Sequence, residues 1–520
     1  MTNVVLDGCS LTLDDVVVVA RHGGVVSLLP EARKRMETSH AWVAGVTHMP
    51  VYGVNTGYGS LARVRIDSHQ ISELSWNLVR SHAAGVGPEV ALPAVRAMML
   101  LRANALAKGA SGCRPVLVER LNEMLNAGVT PIVPSRGSCG SSGDLAPLAH
   151  LGLVVFRGED GTTAGRALYR GERLDASEAM ASAGLQQLVP GPKEGLAMTN
   201  GAQLTCAIAA LACWDAIRLV KTAEIAAAMS WEALRGVTRA LHPEVHRLRP
   251  FPGAIACAAN LRDLMGGSTL TDSIPEKVQD AYSIRCTPQI LGAVRDALRY
   301  CVAQVEVELN AVTDNPVILV DEADENKAFS AGLFHGEPVG FAADHLKLAL
   351  CEVAAVSERR LYRLTTEKLS ATLPPMLRQG PHLGLVIPQT SAAALVSENR
   401  QLAWPASVDS IPTCEDQEDI VAMSTTASRR AAEVLANSQQ VVAIELLVAA
   451  HALWLRQKED PHVQFGAGTA AALASVEAVL GGREPGGAPA DDMAILAKAI
   501  REGTVLDAVE SAMGPLRGVR

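Results

Sequence analysis

Residues 141–143 read Ser-Ser-Gly, between Ser138-Cys139-Gly140 and Asp144-Leu145-Ala146. This tripeptide holds the atoms for an electrophile made from the backbone itself. Attack of the Gly143 amide nitrogen on the Ser141 carbonyl closes a five-membered ring. Loss of water from that ring and from the Ser142 side chain leaves an exposed methylidene, a Michael acceptor. Glycine suits the attacking position because a residue without Cβ bends most easily into so tight a ring. Taken alone, the tripeptide reads more readily as a polar loop before a helix.

A Michael acceptor of this kind can capture an amine, and chemistry on a substrate so captured also needs a base for a weakly acidic hydrogen and an anchor for any carboxylate. Tyr282 and Arg285 stand three apart in QDAYSIRC, so a helix or tight turn puts both on nearly one face. A guanidinium binds both carboxylate oxygens through parallel hydrogen bonds. Asn200 interrupts the uncharged stretch Gly195–Trp214, where a polar amide needs a partner. The glycines of YGVNTGYG, residues 52–59, suggest a mobile lid-like loop around Tyr52, although Asn55-Thr56-Gly57 is also ordinary turn chemistry. His242 and His246 stand four apart, but no acid directly follows the first and Pro243 disturbs a helix, so no zinc site is expected. No phosphate-binding or dinucleotide fingerprint follows a strand, so no nucleotide cofactor is expected either.

The elements that would hold these groups are mostly long helices. CRPVLVERLNEMLNAG, ALRYCVAQVEVELNAV, ADHLKLALCEVAAVSERRLYRL and SRRAAEVLANSQQVVAIELLVAAHALWL carry apolar residues at helical spacing. They predict a mainly α fold, a long-helix bundle over residues 111–520. Residues 1–110 mix the short β-branched runs VVLDG, VVVV and PVYGVNTG with glycine turns, as in a small α/β-containing head. VVAIELLVAAHALWL is apolar on more than one face, which suggests burial against other subunits as well as within the chain. Gly195–Trp214 is long enough to cross a bilayer but holds Asn200, Gln203 and two threonines, and is expected to be a core helix. The Gly/Pro-rich stretch 481–492 is expected to be a loop.

Net charge is −9 and aromatic content 3%, with no basic patch for a nucleic acid. Ten scattered cysteines without a CxxC pair fit a reduced, cytoplasmic setting. The first residues carry acids and no basic stretch, so no signal peptide is expected.

SRGSCGSSGDLAPLAH resembles the signature of the histidine/phenylalanine/tyrosine ammonia-lyase and aminomutase family. YGVNTGYG, LVRSHAAGVG, EGLAMTNGAQ, VQDAYSIRCTPQ, ELNAVTDNPV and VDSIPTCEDQED also look like family blocks, in family order. The resemblance implies a 4-methylidene-imidazol-5-one formed autocatalytically from Ser141, Ser142 and Gly143. It implies a homotetramer with each active site shared between chains, and helix N-termini aimed at the prosthetic group. It assigns Tyr282 as the base and Tyr52 as a second catalytic hydroxyl. Arg285 would hold the substrate carboxylate with Gln279 nearby, Asn200 would bond the prosthetic group and substrate, and Phe334 would pack beside them. Ser81-His82 and Glu418 match the histidine-type members, where they would read an imidazole ring. The implied reaction is L-histidine to urocanate and ammonia, with a 2,3-aminomutase, or a lyase of another aromatic or modified-histidine substrate, as the alternative.

Several residues depart from the family pattern. Ser141 replaces alanine, and Cys139 stands where a small aliphatic residue is usual. Leu385 and Val386 replace an aromatic and a methionine, Ile420 replaces histidine, and Cys414-Glu415-Asp416 replace Ser-Ala-Asn. A wider and more negative pocket is implied. A fumarase-type enzyme would need a mobile SSxMPxKxNP loop, which the chain lacks. A non-catalytic descendant is opposed by Tyr52, Ser142, Asn200, Tyr282 and Arg285 occurring together.

Overall fold

The computed structural model describes residues 2–57, 64–380, 383–482 and 489–519. Tyr58 and Gly59 of the lid-like motif, Pro381, His382 and residues 483–488 of the Gly/Pro-rich stretch lie outside the described residues. The fold is mainly helical, as the sequence pattern predicts. Two compact units make up the chain. The first comprises Met1–Leu211, Val302–Asp344 and Pro405–Arg429; the second comprises Ala212–Cys301, His345–Trp404 and Arg430–Arg520.

The first unit opens with parallel strands Asn3–Leu6 and Val25–Leu28 around the helix Leu13–His22. The run Val16–Val19, strand-like by composition, lies inside that helix. Thr12 and Asp15 form a capping box at its start, and Gly23 closes it in a left-handed conformation. These end signals, with Leu13, Val16, Val17 and Ala20 buried on one face, outweigh the β preference of valine. The other β-branched run, PVYGVNTG, folds as turns rather than a strand. Asn55 pins it: its side chain accepts from Val51 N at 2.7 Å and donates to Met49 O at 2.9 Å.

Gly195–Trp214 is two helices, not the single core helix its composition predicts. Glu194–Thr199 ends at Asn200, and Gln203–Ala233 begins three residues later. The interruption is local and backbone-driven, because Gly201 adopts φ 137°, which no helix contains. The most apolar window of Gln203–Ala233 is 78% buried, as befits a core helix.

Long helices also build the second unit. Residues 441–450 of Ser424–Glu459 are all buried within the chain itself. This part of VVAIELLVAAHALWL therefore needs no other subunit to cover it. Two buried carboxylates in this unit are matched. Glu445 takes the guanidinium of Arg360 and the hydroxyl of Ser230. Glu224 takes Arg295 at 2.8 Å and Asn260 at 2.7 Å.

The first unit holds a comparable pair. Lys193 Nζ donates to Asp314 at 2.7 Å, with side chains 0% and 1% exposed. Removing one member of such a pair strands the other charge in protein. Lys193→Met is expected to cost about 3–5 kcal/mol, read from denaturant unfolding. Lys193→Met combined with Asp314→Leu should recover most of that loss. A single variant as stable as the wild type would contradict this account of the pair.

Candidate active site

The Ser-Ser-Gly segment lies just ahead of the helix Leu145–Val155. Ser142 has φ 53° and Gly143 φ 79°, so the chain doubles back where the ring would close. The backbone of Gly143 runs against that of Gly201. Asp144 N donates to Gly201 O at 2.7 Å, and Gly201 N to Ser142 O at 3.3 Å. A Cβ on residue 143 would stand 2.2 Å from the Gly201 carbonyl carbon. Glycine is required there for conformation and for space.

Asp144 fixes this segment from behind. Its side chain is fully buried and accepts from Ser138 Oγ at 2.7 Å, Thr205 N at 2.8 Å and Thr425 Oγ1 at 2.5 Å. The floor on the Gly201 side is held by Arg102. Its guanidinium donates to the carbonyls of Ala197 and Asn200 and to Gln203 Oε1. Burial pushes the Arg102 guanidinium down to about 10, against the opposing charges of Asp314 and Asp144. Gln203 in turn donates to Thr313 Oγ1 at 2.6 Å.

Of the residues singled out from the sequence, Ser142 and Glu418 meet directly. Ser142 Oγ donates to Glu418 Oε1 at 2.6 Å, and Thr413 Oγ1 donates to Oε2 at 2.7 Å. His82 ends the helix Ile71–His82, with Nδ1 2.9 Å from Leu78 O and 3.0 Å from Ser81 Oγ. Burial lowers the His82 ring below its ordinary value, while the Leu78 carbonyl and the Glu418 charge oppose that shift. Asn200 is 4% exposed and donates to Asn315 O at 3.2 Å. Phe334 is half-buried, two residues before Gly336, whose N–H donates to Gly140 O at 2.9 Å. Tyr52 is half-buried in the turn that Asn55 pins. The buried Ser141 Oγ has no hydrogen-bond partner among the described residues.

Gln279, Tyr282 and Arg285 belong to the second unit. Tyr282–Arg285 is a single helical turn, and the Arg285 guanidinium lies over the Tyr282 ring, 4.8 Å from its centre. The three-residue spacing thus places both on one face, as expected. Arg285 Nε donates to Asp280 O at 2.9 Å. Tyr282 is 69% exposed, and Gln279 is exposed. His242 and His246 are engaged locally: His242 accepts from Glu244 N, and His246 Nε2 contacts Ala240 O.

Sequence reasoning missed Asp144, Arg102, Gly201, Thr205 and Thr425. Two of these left a signal: an acid directly after the tripeptide, and an arginine inside the apolar helix Leu92–Ala107. It also missed Glu308, whose carboxyl burial and neighbouring Asp144 push up to about 7.

The match to known proteins covers nearly the whole chain. Residues 11–478 match the family model described as aromatic amino acid lyase. The histidine ammonia-lyase of Streptococcus gordonii is 46% identical over 475 residues, 90% of each chain. Among solved structures, the tyrosine aminomutase from Streptomyces globisporus superposes with TM-score 0.91 at 34% identity, covering 99% of this chain and 100% of that one. The histidine ammonia-lyase from Trypanosoma cruzi gives 0.89 at 35%, covering 98% and 96%. The chain belongs to the aromatic amino acid lyase family.

The lowered His82 value has a consequence for stability. In the unfolded chain an imidazole titrates near its ordinary value of about 6.5; in the folded chain it titrates lower. Between the two the unfolded chain binds more protons, so stability rises with pH there and the contribution of His82 levels off outside that window. Replacing His82 with asparagine should flatten the rise of the unfolding midpoint at pH values just below the ordinary imidazole value of about 6.5. An unchanged slope would assign the pH dependence to other groups.

Proposed function

We propose that this carbon–nitrogen lyase removes ammonia from L-histidine to give urocanate, using a 4-methylidene-imidazol-5-one made from Ser141, Ser142 and Gly143. The observation that carries the reading is the Ser142–Glu418 hydrogen bond at 2.6 Å, with the His82 ring feeling the charge of the same carboxylate. A carboxylate held against the residue whose hydroxyl must leave, with an imidazole close enough to feel its charge, supports a histidine site. Relatives of 46% identity that act on histidine support the same substrate.

The residues present fit the prosthetic group. The left-handed Ser142, the glycine-only space at Gly143 and the unengaged Ser141 side chain suit a ring drawn from backbone atoms. Once formed, that group supplies an electrophile for the substrate amine. Around it, Glu418 accepts a hydrogen bond from the imidazole N–H, and His82 holds the other side of the ring. Arg285 binds the substrate carboxylate in a two-pronged pair, supported by Gln279. The Tyr282 hydroxyl takes the β-proton, and Tyr52 supplies a second hydroxyl over the site. Asn200 bonds the substrate, and Phe334 packs against it.

Residues 1–110 contribute Tyr52 and His82, and residues 111–520 the tripeptide and the tetramer contacts. The working form is a cytoplasmic homotetramer whose chains share active sites. The exposed Tyr282, Val278, Val307, Phe341 and Trp404 support contacts with further copies. The close superposition on a tyrosine aminomutase favours one second reading, return of ammonia to the β-carbon.

Intact-protein mass should fall short of the encoded mass by two waters. Ser142→Ala should abolish that deficit and the activity. Ser141→Ala should keep both, because removing an unpartnered buried hydroxyl costs nothing. An active wild type at its full encoded mass would refute the prosthetic group. In a substrate panel, histidine should exceed phenylalanine in kcat/KM by as much as about four to five decades, because phenyl leaves the half-buried His82 and Glu418 without a ring nitrogen to pair with. Equal turnover of the two would remove histidine as the substrate, and accumulation of a β-amino acid would select the aminomutase reading.

Tyr282→Phe should lower kcat by orders of magnitude while leaving the fold intact. Arg285→Lys should raise KM and lower kcat together, since charge remains but the two-pronged geometry does not. Near-normal turnover of Tyr282→Phe would transfer the base role to Tyr52.

A further inference from the structure

The motif that carries the tripeptide ends in His150, on the helix Leu145–Val155. Neither ring formation nor elimination draws on this residue. Its ring is half-buried, and Nε2 accepts from the backbone N–H of Gly85 at 3.2 Å. An amide N–H can only donate, so Nε2 is the bare nitrogen and the ring is neutral. Burial holds the His150 imidazole below its ordinary value, which keeps it in that form at neutral pH.

Gly85 lies three residues beyond His82, the last residue of the helix Ile71–His82. The link between them is tight, because Ala84 N donates to His82 O at 2.8 Å. A Cβ on Gly85 would stand 3.1 Å from His150 Nε2 and 3.2 Å from the Pro134 side chain. The turn is thus wedged between an imidazole and a proline. From Val86 onward the chain pairs antiparallel with Pro134–Arg136.

A second contact lies three residues before His82. Val79 packs on Gly152 of Leu145–Val155, where a Cβ would come within 2.9 Å of the valine side chain. His82 is therefore bracketed by two contacts with the helix that begins just after the tripeptide, one apolar and one polar. The Val79 contact sets how closely the helices approach, and the Gly85 hydrogen bond sets where the chain leaves the last turn. Within that turn the His82 ring donates from Nδ1 toward Leu78 O and lies against Ser81 Oγ. Its direction follows the backbone of the turn.

We propose that His150 is a positioning residue for substrate selection: by accepting from Gly85 it fixes the turn that aims the His82 ring. The inference rests on the reading that His82 holds the substrate imidazole, and it adds the group that keeps His82 in place. A recognition side chain holds its geometry only when its neighbours lock it. Loss of the Gly85 bond leaves the tripeptide segment, held by Asp144 and Gly201, as it was. Histidine, gripped by its ring nitrogens, is then bound less well, whereas phenylalanine loses no contact it had.

The experiment compares wild type, His150→Leu, His150→Gln and His82→Leu on histidine and on phenylalanine, the latter as substrate or competitive inhibitor. Intact mass and the unfolding midpoint are read on the same preparations. His150→Leu removes the acceptor at similar size; His150→Gln restores one, its Oε1 standing near the place of Nε2. His150→Leu should keep the two-water mass deficit and raise the histidine KM by up to about tenfold, the worth of one hydrogen bond. Its kcat and its handling of phenylalanine should change little, and His150→Gln should return the histidine KM toward wild type. Equal losses on both amino acids, a lost mass deficit, or a glutamine variant no better than the leucine one would overturn the positioning role. If His82→Leu alters the histidine KM and His150→Leu does not, the positioning role alone fails. If neither alters it, His82 is not the partner of the substrate ring, and both readings fall.

Discussion

The backbone of Gly143 lies against that of Gly201, and much of the first unit is arranged to permit that contact. It requires a break between Thr199 and Gln203, because an unbroken helix would present side chains where Gly143 needs bare backbone. The break exposes polar groups within an apolar core. Those groups are satisfied by Arg102, which takes the carbonyls of Ala197 and Asn200, and by hydrogen bonds from Asp144 and Gly201 themselves. Unmade, each such bond would cost about 1–3 kcal/mol. The buried arginine is therefore a consequence of the glycine contact, not an independent ornament of the core.

Asp144 extends the same logic to the other side of the tripeptide. Its carboxylate collects donors from residues 138, 205 and 425, three parts of the chain far apart in sequence. A buried charge held by that many donors is rigid, because any displacement leaves charge unsolvated. The left-handed Ser142 can persist only where its surroundings over-determine it. The clamp behind it and the glycine contact beside it supply that constraint. In the proposed reaction, the same rigidity holds the Gly143 nitrogen close to the Ser141 carbonyl, where proximity replaces much of the entropic cost of ring closure.

The sequence made the helical class legible because long apolar periodicities leave little alternative, and it made the tripeptide legible because few residue types could do that chemistry. Ser142 and Glu418, 276 positions apart, do touch; only the family resemblance brought both into one site. What stayed hidden was conformation. Val16–Val19 looked like a strand because β-branching is a local property, whereas the Thr12–Asp15 box and Gly23 decided the matter at the ends. Gly195–Trp214 looked like one helix because hydropathy does not register a single φ of 137° at Gly201. Asp144 and Arg102 were passed over because their role lies in what they satisfy, and that depends on carbonyls and hydroxyls the sequence does not locate.

Glu418 carries two loads that compete. In the free chain one oxygen holds Ser142 and the other Thr413. If Glu418 reads the substrate ring as proposed, an arriving imidazole N–H would have to share or displace one of them. In the proposed maturation, dehydration of the Ser142 side chain would remove its hydroxyl as water and so delete its claim on Oε1. Prosthetic-group formation would then free the carboxylate oxygen that a histidine ring needs, while Thr413 keeps the side chain aimed. The departures at Cys414, Glu415 and Asp416 leave this intact, because the turn they occupy is closed by Thr413 and Glu418 rather than by their own side chains. In the proposed reaction, specificity and maturation would thus converge on one carboxylate.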